Sequence, residues 1–166
     1  MEKIAKEYRV SFLRVLLLLS ALISLSVLSA ISLRAAVWYE VLTAIGFVIV
    51  FSIGILFATL LLSFPNGKVR KQFGFSAISK ATTNGFAMLF PFAVLALITD
   101  LIFQWNATQA ITCAAIFTCI SVAAGDLMNL GGKRTVNLIF SFLASVMFIA
   151  LYMGLIMGAK IILSQI

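Results

Sequence analysis

Long apolar runs alternate with short polar segments along the whole chain, and this alternation is its dominant pattern. An α-helix rises about 1.5 Å per residue, so about 20 apolar residues cross a hydrocarbon layer about 30 Å thick. Five runs reach about that length. The pattern therefore predicts an all-α integral membrane protein, a single domain over residues 1–166 with five transmembrane helices at residues 12–33, 41–64, 84–103, 107–124 and 136–163.

The polar segments between the runs are short. The longest, residues 65–83, begins with "PNG" and is predicted to be the main cytoplasmic loop, because proline and glycine favour a turn after the second span. The shortest, "QWN" at residues 104–106, requires the third and fourth spans to form a tight antiparallel hairpin. The alternative is a re-entrant pair, which would leave three true spans, although both runs are long enough to cross.

Composition excludes a soluble domain. Hydrophobic residues make up 63% of the chain and charged residues 10%, and the mean hydropathy is +1.19. Globular domains carry roughly a quarter of charged residues, which form the polar surface around their core. We therefore expect an integral protein of a bacterial cytoplasmic (inner) membrane.

The formal charge of +7 predicts an orientation and does not indicate a nucleic-acid partner. The basic residues occur in short groups between apolar runs, and no nucleic-acid-binding motif accompanies them. With the N-terminus inside, ten of the twelve Lys and Arg residues fall on the cytoplasmic side, and only Arg34 and Lys160 fall outside. The positive-inside rule thus predicts an N-in, C-out topology.

The chain lacks the residues that several kinds of catalytic and metal site require. The chain has no histidine, which removes His-based metal sites and Ser-His catalysis, and its only aspartates are Asp100 and Asp126. Cys113 and Cys119 are six residues apart and do not form a Cys-x-x-Cys redox motif. We expect no enzyme activity, no cofactor and no metal.

A few polar residues within the apolar runs are candidates for an ion path. Asp100 lies inside the end of the third span, where a carboxylate must be paired, hydrated or protonated. Thr108, Thr112 and Asp126 lie along one face of the fourth span, if its helix continues that far. The alternative is that these side chains bond to a neighbouring helix or to their own backbone, and that Asp100 is wetted at the outer surface.

Small residues in the fifth span indicate close helix packing. Ala150, Gly154 and Gly158 recur at intervals of four and so lie on one ridge. Such ridges let another backbone approach closely. The partner helix can belong to the same bundle or to another subunit of an oligomer.

Three basic residues in the predicted loop, Lys68, Arg70 and Lys71, are candidates for contact with lipid or with a partner. The apolar residues Val69, Phe73 and Ala77 recur every four residues beside these cations and Lys80, so part of the segment is predicted to form an amphipathic turn on the membrane surface. Anionic lipid would contribute about 1 kcal/mol per nearby basic residue.

Two functions fit a bundle with such short loops. The favoured one is a subunit or accessory partner of a larger membrane assembly, such as a transporter, secretion or envelope complex. The alternative is a small solute or ion transporter or channel that acts as a homo-oligomer. Five spans without a visible inverted repeat disfavour the second function. The expected partners are membrane lipids and either another membrane protein or further copies of the chain.

Overall fold

A computed structural model describes residues 12–33, 37–103 and 107–164. All the regular structure within these ranges is helical. The helices are α1 (Phe12–Ile31), α2 (Val37–Ser63), α3 (Gly67–Phe73), α4 (Phe75–Ala87), α5 (Leu89–Leu97), a π-helical turn (Ile98–Ile102), α6 (Thr108–Asn129) and α7 (Arg134–Leu163).

Five helical segments are long and apolar enough to cross a membrane, which confirms the predicted all-α architecture and its five spans. They are Phe12–Ile31, Trp38–Ser63, Phe75–Asp100, Thr108–Asn129 and Arg134–Leu163. A helix satisfies its backbone N–H and C=O groups internally, which a chain in hydrocarbon requires. The chain thus has the architecture of an integral membrane protein. The short link 104–106, on which the predicted hairpin depends, lies outside the described residues.

The third span begins at Phe75, earlier than the sequence indicates, so the segment 65–83 is not one loop. Its first part forms α3, and its second part forms the first turns of α4. Ala77 and Ala81 are buried on one face of α4, and the Thr82 hydroxyl donates to the backbone carbonyl of Ile78 at 2.8 Å. Polar residues are therefore accommodated in this helix by packing on one side and by bonding to the backbone.

Proline and glycine account for the two breaks near this span. Pro91 cannot donate a backbone hydrogen bond, and its ring crowds the carbonyl four residues earlier, so α4 ends at Ala87, four residues before Pro91. Gly74, between α3 and α4, has φ +79°, a left-handed conformation that glycine adopts without strain.

Helix α6 packs against α1, α4, α5 and α7, and α2 packs against α1, α4 and α7. Aromatic side chains fill the space between α2 and α7: the ring centroids of Phe51 lie 5.7 Å from those of Phe148 and Tyr152, and Phe47 lies 5.5 Å from Tyr152. All four rings are almost completely buried. The core thus lies along the axis of the bundle, and the outward faces expose mainly leucine, isoleucine and phenylalanine.

Charged residues divide unequally between the two ends of the bundle. The first turn of α1, helix α3, the first turns of α4 and the start of α7 lie at one end, here called the basic end. The described cations at this end are Arg14, Lys68, Arg70, Lys71, Lys80, Lys133 and Arg134. The opposite end carries Glu40, Asp100 and Lys160 among the described residues.

Candidate functional site

Asp100 is bound to the start of α6. Its carboxylate accepts hydrogen bonds from the backbone N–H groups of Ala107, at 2.7 Å, and Thr108, at 3.3 Å. It also accepts a hydrogen bond from the Thr108 hydroxyl. The first N–H groups of a helix have no partner inside the helix and carry partial positive charge, so a carboxylate placed there satisfies them and stabilises the helix. Asp100 therefore caps α6 from the preceding span.

The π-helical turn Ile98–Ile102 carries this aspartate. A π-type turn contains one residue more than the α-helical ladder allows, which changes the direction in which side chains point. The sequence predicts that Asp100 and Thr108 belong to the same region of the protein, and the structure brings them into contact. The capping geometry itself depends on the turn and is not visible in the sequence.

The predicted polar stripe of α6 is not continuous. Thr108 and Thr112 are fully buried, and the Thr112 hydroxyl donates to the Thr108 carbonyl at 2.7 Å. Farther along the same helix, the buried side chains as far as Ala124 are apolar: Ala115, Ile116, Cys119, Ile120, Ala123 and Ala124. Asp126 lies 18 residues after Thr108, about 27 Å along the helix. The structure therefore brings Asp100 and the two threonines together and leaves Asp126 at the other end.

Tyr152 continues the polar cluster into the core. Its hydroxyl lies 2.9 Å from the Ser29 hydroxyl and near Thr112. All three side chains are buried. The hydrogen bond between Ser29 and Tyr152 joins α1 and α7, so these two hydroxyls satisfy each other inside the bundle, while the Thr112 hydroxyl is satisfied by its own helix.

A second polar contact, which the sequence did not reveal, lies at the basic end. Asn66 and Asn137 are almost fully buried and exchange side-chain hydrogen bonds, Asn66 Nδ2 to Asn137 Oδ1 at 2.5 Å and Asn137 Nδ2 to Asn66 Oδ1 at 3.1 Å. A Cβ atom at Gly132 would overlap both amide groups. The turn after α2 and the first turn of α7 are thus locked together by a reciprocal amide pair over a glycine.

The two glycines of the loop between α6 and α7 determine its conformation. Gly131 has φ +97°, and its N–H donates to the Met128 carbonyl at 3.0 Å, while the Gly132 N–H donates to the Leu127 carbonyl at 3.1 Å. This pattern ends α6 as a Schellman motif and satisfies its last carbonyls. "GG" in the sequence predicts an inner turn, and the structure shows the turn with its capping bonds.

Asp126 forms part of a separate cluster at the basic end. Asn84 Nδ2 donates to Asp126 Oδ2 at 3.4 Å, and Arg14 Nη1 donates to Asn84 Oδ1. Asn84 and Asp126 border an open pocket of about 220 Å³ between α4 and the end of α6. Neither Arg14 nor Asn84 was among the residues predicted to form a site.

The small residues of α7 face outward. Ala150 and Gly154 are exposed, and a Cβ atom at Gly154 or Gly158 would meet nothing within 4 Å. Gly154 and Gly158 border a groove of about 310 Å³ between α2 and α7, next to Gly46. Within the described residues they therefore make no tight contact with a second helix, and contact with another subunit stays a prediction.

Tight glycine packing occurs at other positions. A Cβ atom at Gly85 would overlap the Cys119 carbonyl oxygen and lie 2.9 Å from the Cβ of Ala123. At Gly54 an added Cβ would overlap the ring of Phe148. These two glycines, and not those at the end of α7, let the helices of one chain approach closely.

The basic residues of α3 point away from the protein. Lys68, Arg70 and Lys71 are exposed, whereas Val69 between them is 1% exposed and belongs to the core. Ala77 is likewise buried in the protein, so the apolar residues of the segment face the bundle. Contact of these exposed cations with lipid or with a partner stays a prediction.

No group of three or more His, Cys, Asp or Glu side chains within the described ranges is placed to hold one metal ion. Cys113 and Cys119 are both free thiols, and Cys119 is buried. Comparisons with protein-family models, with curated proteins and with solved structures found no match to this chain. Function must therefore be inferred from the geometry of the chain itself.

Proposed function

We propose that this protein is a small accessory subunit of a larger membrane assembly. The proposal rests on the hydrogen bonds that occupy the Asp100 carboxylate. A carboxylate in a transport path would be available to a passing ion, whereas Asp100 accepts three hydrogen bonds from Ala107 and Thr108. Its geometry supports a structural role.

The interior of α6 supports the same conclusion. Its buried face between Thr112 and Asp126 consists of small and branched apolar side chains that are less than 2% exposed. An ion that moved along this face would lose its hydration without gaining polar partners, at a cost of several kcal/mol. A single chain thus offers a packed interior and not a path.

The outward surface between α2 and α7 is where we place the partner. Gly46, Gly154 and Gly158 line the groove and have no side chains to fill it. A Cβ atom at either α7 glycine would enter open space. In hydrocarbon, helices associate through close van der Waals packing over such small residues. A helix of another membrane protein fits this chemistry.

We also propose an N-in, C-out orientation, with the basic end in the cytoplasm. Seven described cations lie at that end, and Lys160 lies at the other. Lys68, Arg70 and Lys71 would then face anionic head groups or the cytoplasmic surface of the partner, each contributing about 1 kcal/mol. The membrane would be the cytoplasmic membrane of a bacterium.

The second candidate is a small transporter that acts as a homo-oligomer. The pocket beside Asn84 and Asp126 favours it, because this pocket is open and holds a carboxylate near the membrane surface. Several copies could place such pockets around a common axis.

Reconstitution distinguishes the two candidates. The purified chain is placed in liposomes loaded with dyes that respond to protons and to K⁺, and Asp126→Asn is measured beside it. An accessory subunit gives the leak of empty liposomes in both samples. Flux that depends on Asp126 would contradict the accessory role and favour the transporter.

A further inference from the structure

The pocket at the basic end has two walls of different character. One wall is a single face of α4, and the other is the last turn of α6 with the residue after it. The pocket measures about 220 Å³ and is lined by Ala77, Lys80, Ala81, Asn84, Asp126, Asn129 and Leu130. Most bundle surfaces of this protein are apolar, so a pocket with two amides, a carboxylate and an amine is unusual among them.

Asp126 is a half-buried carboxylate, and none of the described cations forms an ion pair with it. Within the described ranges its one hydrogen bond comes from Asn84, through a single carboxylate oxygen. Arg14 bonds instead to the carbonyl oxygen of Asn84. Asn84 thus separates a positive group from a negative group that do not meet.

The two walls of the pocket also differ in the sign of their electrostatic potential. Asp126 lies in the last turn of α6, where the helix end carries partial negative charge, so this wall favours a cation. Lys80 lines the opposite wall, and Arg14 reaches the pocket through Asn84, so this side favours an anion. The ligand that matches both sides carries an anionic group and a cationic group a few ångströms apart.

We propose that this pocket binds the phosphoethanolamine head group of a membrane lipid. The phosphate would lie toward Arg14 and Lys80, and the ammonium would donate hydrogen bonds to Asp126 and to the amide oxygen of Asn129. A metal cation alone would be repelled by the two basic residues, and a purely anionic head group by Asp126. A choline group has no N–H and cannot donate to the carboxylate.

The depth of the pocket favours a lipid over a soluble ligand with the same chemistry. Asp126 lies one turn from the end of a membrane-spanning helix, and Arg14 lies in the first turn of another. Beside Arg14, α1 exposes Phe12, Leu13 and Leu16, against which acyl chains can pack. Head group and tail would therefore both find a matching surface.

The test is lipid binding measured by native mass spectrometry on delipidated protein. Phosphatidylethanolamine, phosphatidylcholine and phosphatidylglycerol of identical acyl chains are titrated against the wild type, Asp126→Asn, Arg14→Gln and the control Lys133→Gln. We expect the wild type and the control to prefer phosphatidylethanolamine about tenfold, a difference of about 1.4 kcal/mol. Asp126→Asn should lose this preference. Arg14→Gln should weaken the binding of all three lipids alike, because each of them carries the phosphate.

Equal binding of the three lipids by the wild type would overturn the proposal, and so would a preference that persists in folded Asp126→Asn. If Asp126→Asn does not fold, the exposed position of Arg14 still provides the test, since unchanged binding by Arg14→Gln would also overturn it. Soluble glycerophosphoethanolamine is added as a competitor. Displacement of the lipid at equal concentration would overturn the assignment to a lipid.

Discussion

Asp100 holds Thr108 through both the backbone N–H, at 3.3 Å, and the hydroxyl of the threonine. The two residues belong to consecutive spans, so the contact fixes the direction in which α6 enters the bundle. A carboxylate near the membrane surface raises the free energy of the fold unless it is paired or hydrated. Here the N–H groups of a helix supply the pairing. Asp100, which the sequence offers as a candidate for an ion path, thus caps a helix in the structure.

Replacing Asp100 should therefore destabilise the fold. Loss of a capping side chain costs about 0.5–2 kcal/mol, so Asp100→Ala should lower the free energy of unfolding by about that amount. Asp100→Asn should cost less, because its amide oxygen still accepts from the N–H groups. Unfolding by SDS titration, followed by circular dichroism, measures both. Gln109→Ala, in the same first turn, is the control, and a loss there equal to that of Asp100→Ala would argue against the cap.

The two kinds of glycine should respond differently to an added methyl group. Gly85→Ala forces a Cβ against the Cys119 carbonyl and Ala123, and overpacking of this kind costs about 1–3 kcal/mol. Gly154→Ala and Gly158→Ala place the methyl group in open space and should leave the stability of the isolated chain nearly unchanged. Thermal unfolding in detergent measures all three. Equal destabilisation would show that the α7 glycines also pack within one chain.

The buried amide pair should appear as strong coupling between Asn66 and Asn137. Removing either amide breaks both hydrogen bonds that the pair exchanges and leaves polar atoms of the partner buried without a bond, at a cost of about 1–3 kcal/mol for each such atom. Asn66→Ala together with Asn137→Ala should cost less than the sum of the single changes, since the second removal leaves no orphaned amide. Unfolding of the wild type, both single variants and the double variant gives the coupling energy. Simple additivity would mean that the pair does not lock the two turns.

The proposed orientation can be measured with single cysteines at two exposed positions, Gln72 in α3 and Ser164 after α7. Both are introduced into a chain whose native cysteines are replaced by serine or alanine. With the N-in, C-out topology, an impermeant thiol reagent should label Ser164→Cys in intact cells, and Gln72→Cys only after lysis. The reverse pattern would contradict the orientation.

The length of the apolar runs was sufficient to predict five spans, because the membrane allows few alternatives to long apolar helices. It misplaced the start of the third span, since hydropathy averages over a helix whose polar residues face different ways. Ala77 and Ala81 are buried on a face of α4 that also carries Lys80, and all three border the same pocket. One-sided burial of this kind becomes visible only when the neighbouring helices are in place.

The contacts of the candidate residues also divide into those that the sequence predicts and those that it does not. The shared face of Thr108 and Thr112 follows from helical spacing and was predicted. The bond from Asp100 depends on the π-helical turn, and the contact of Asn66 with Asn137 joins residues 71 positions apart. Neither contact can be read from spacing along the sequence, because each depends on how the ends of two separate helices are placed relative to each other. The outward direction of Gly154 and Gly158 likewise depends on where α2 packs.

The mass and composition of the particle extracted from native membranes test the central proposal most directly. Wild type, the double variant Gly154→Leu with Gly158→Leu, and the control Gly125→Leu, whose added side chain also meets open space, are solubilised in mild detergent and weighed by native mass spectrometry. An accessory subunit should appear with a different membrane protein in fixed stoichiometry, in the wild type and the control, and without it in the double variant. A monomer or a homo-oligomer in all three samples would contradict the account.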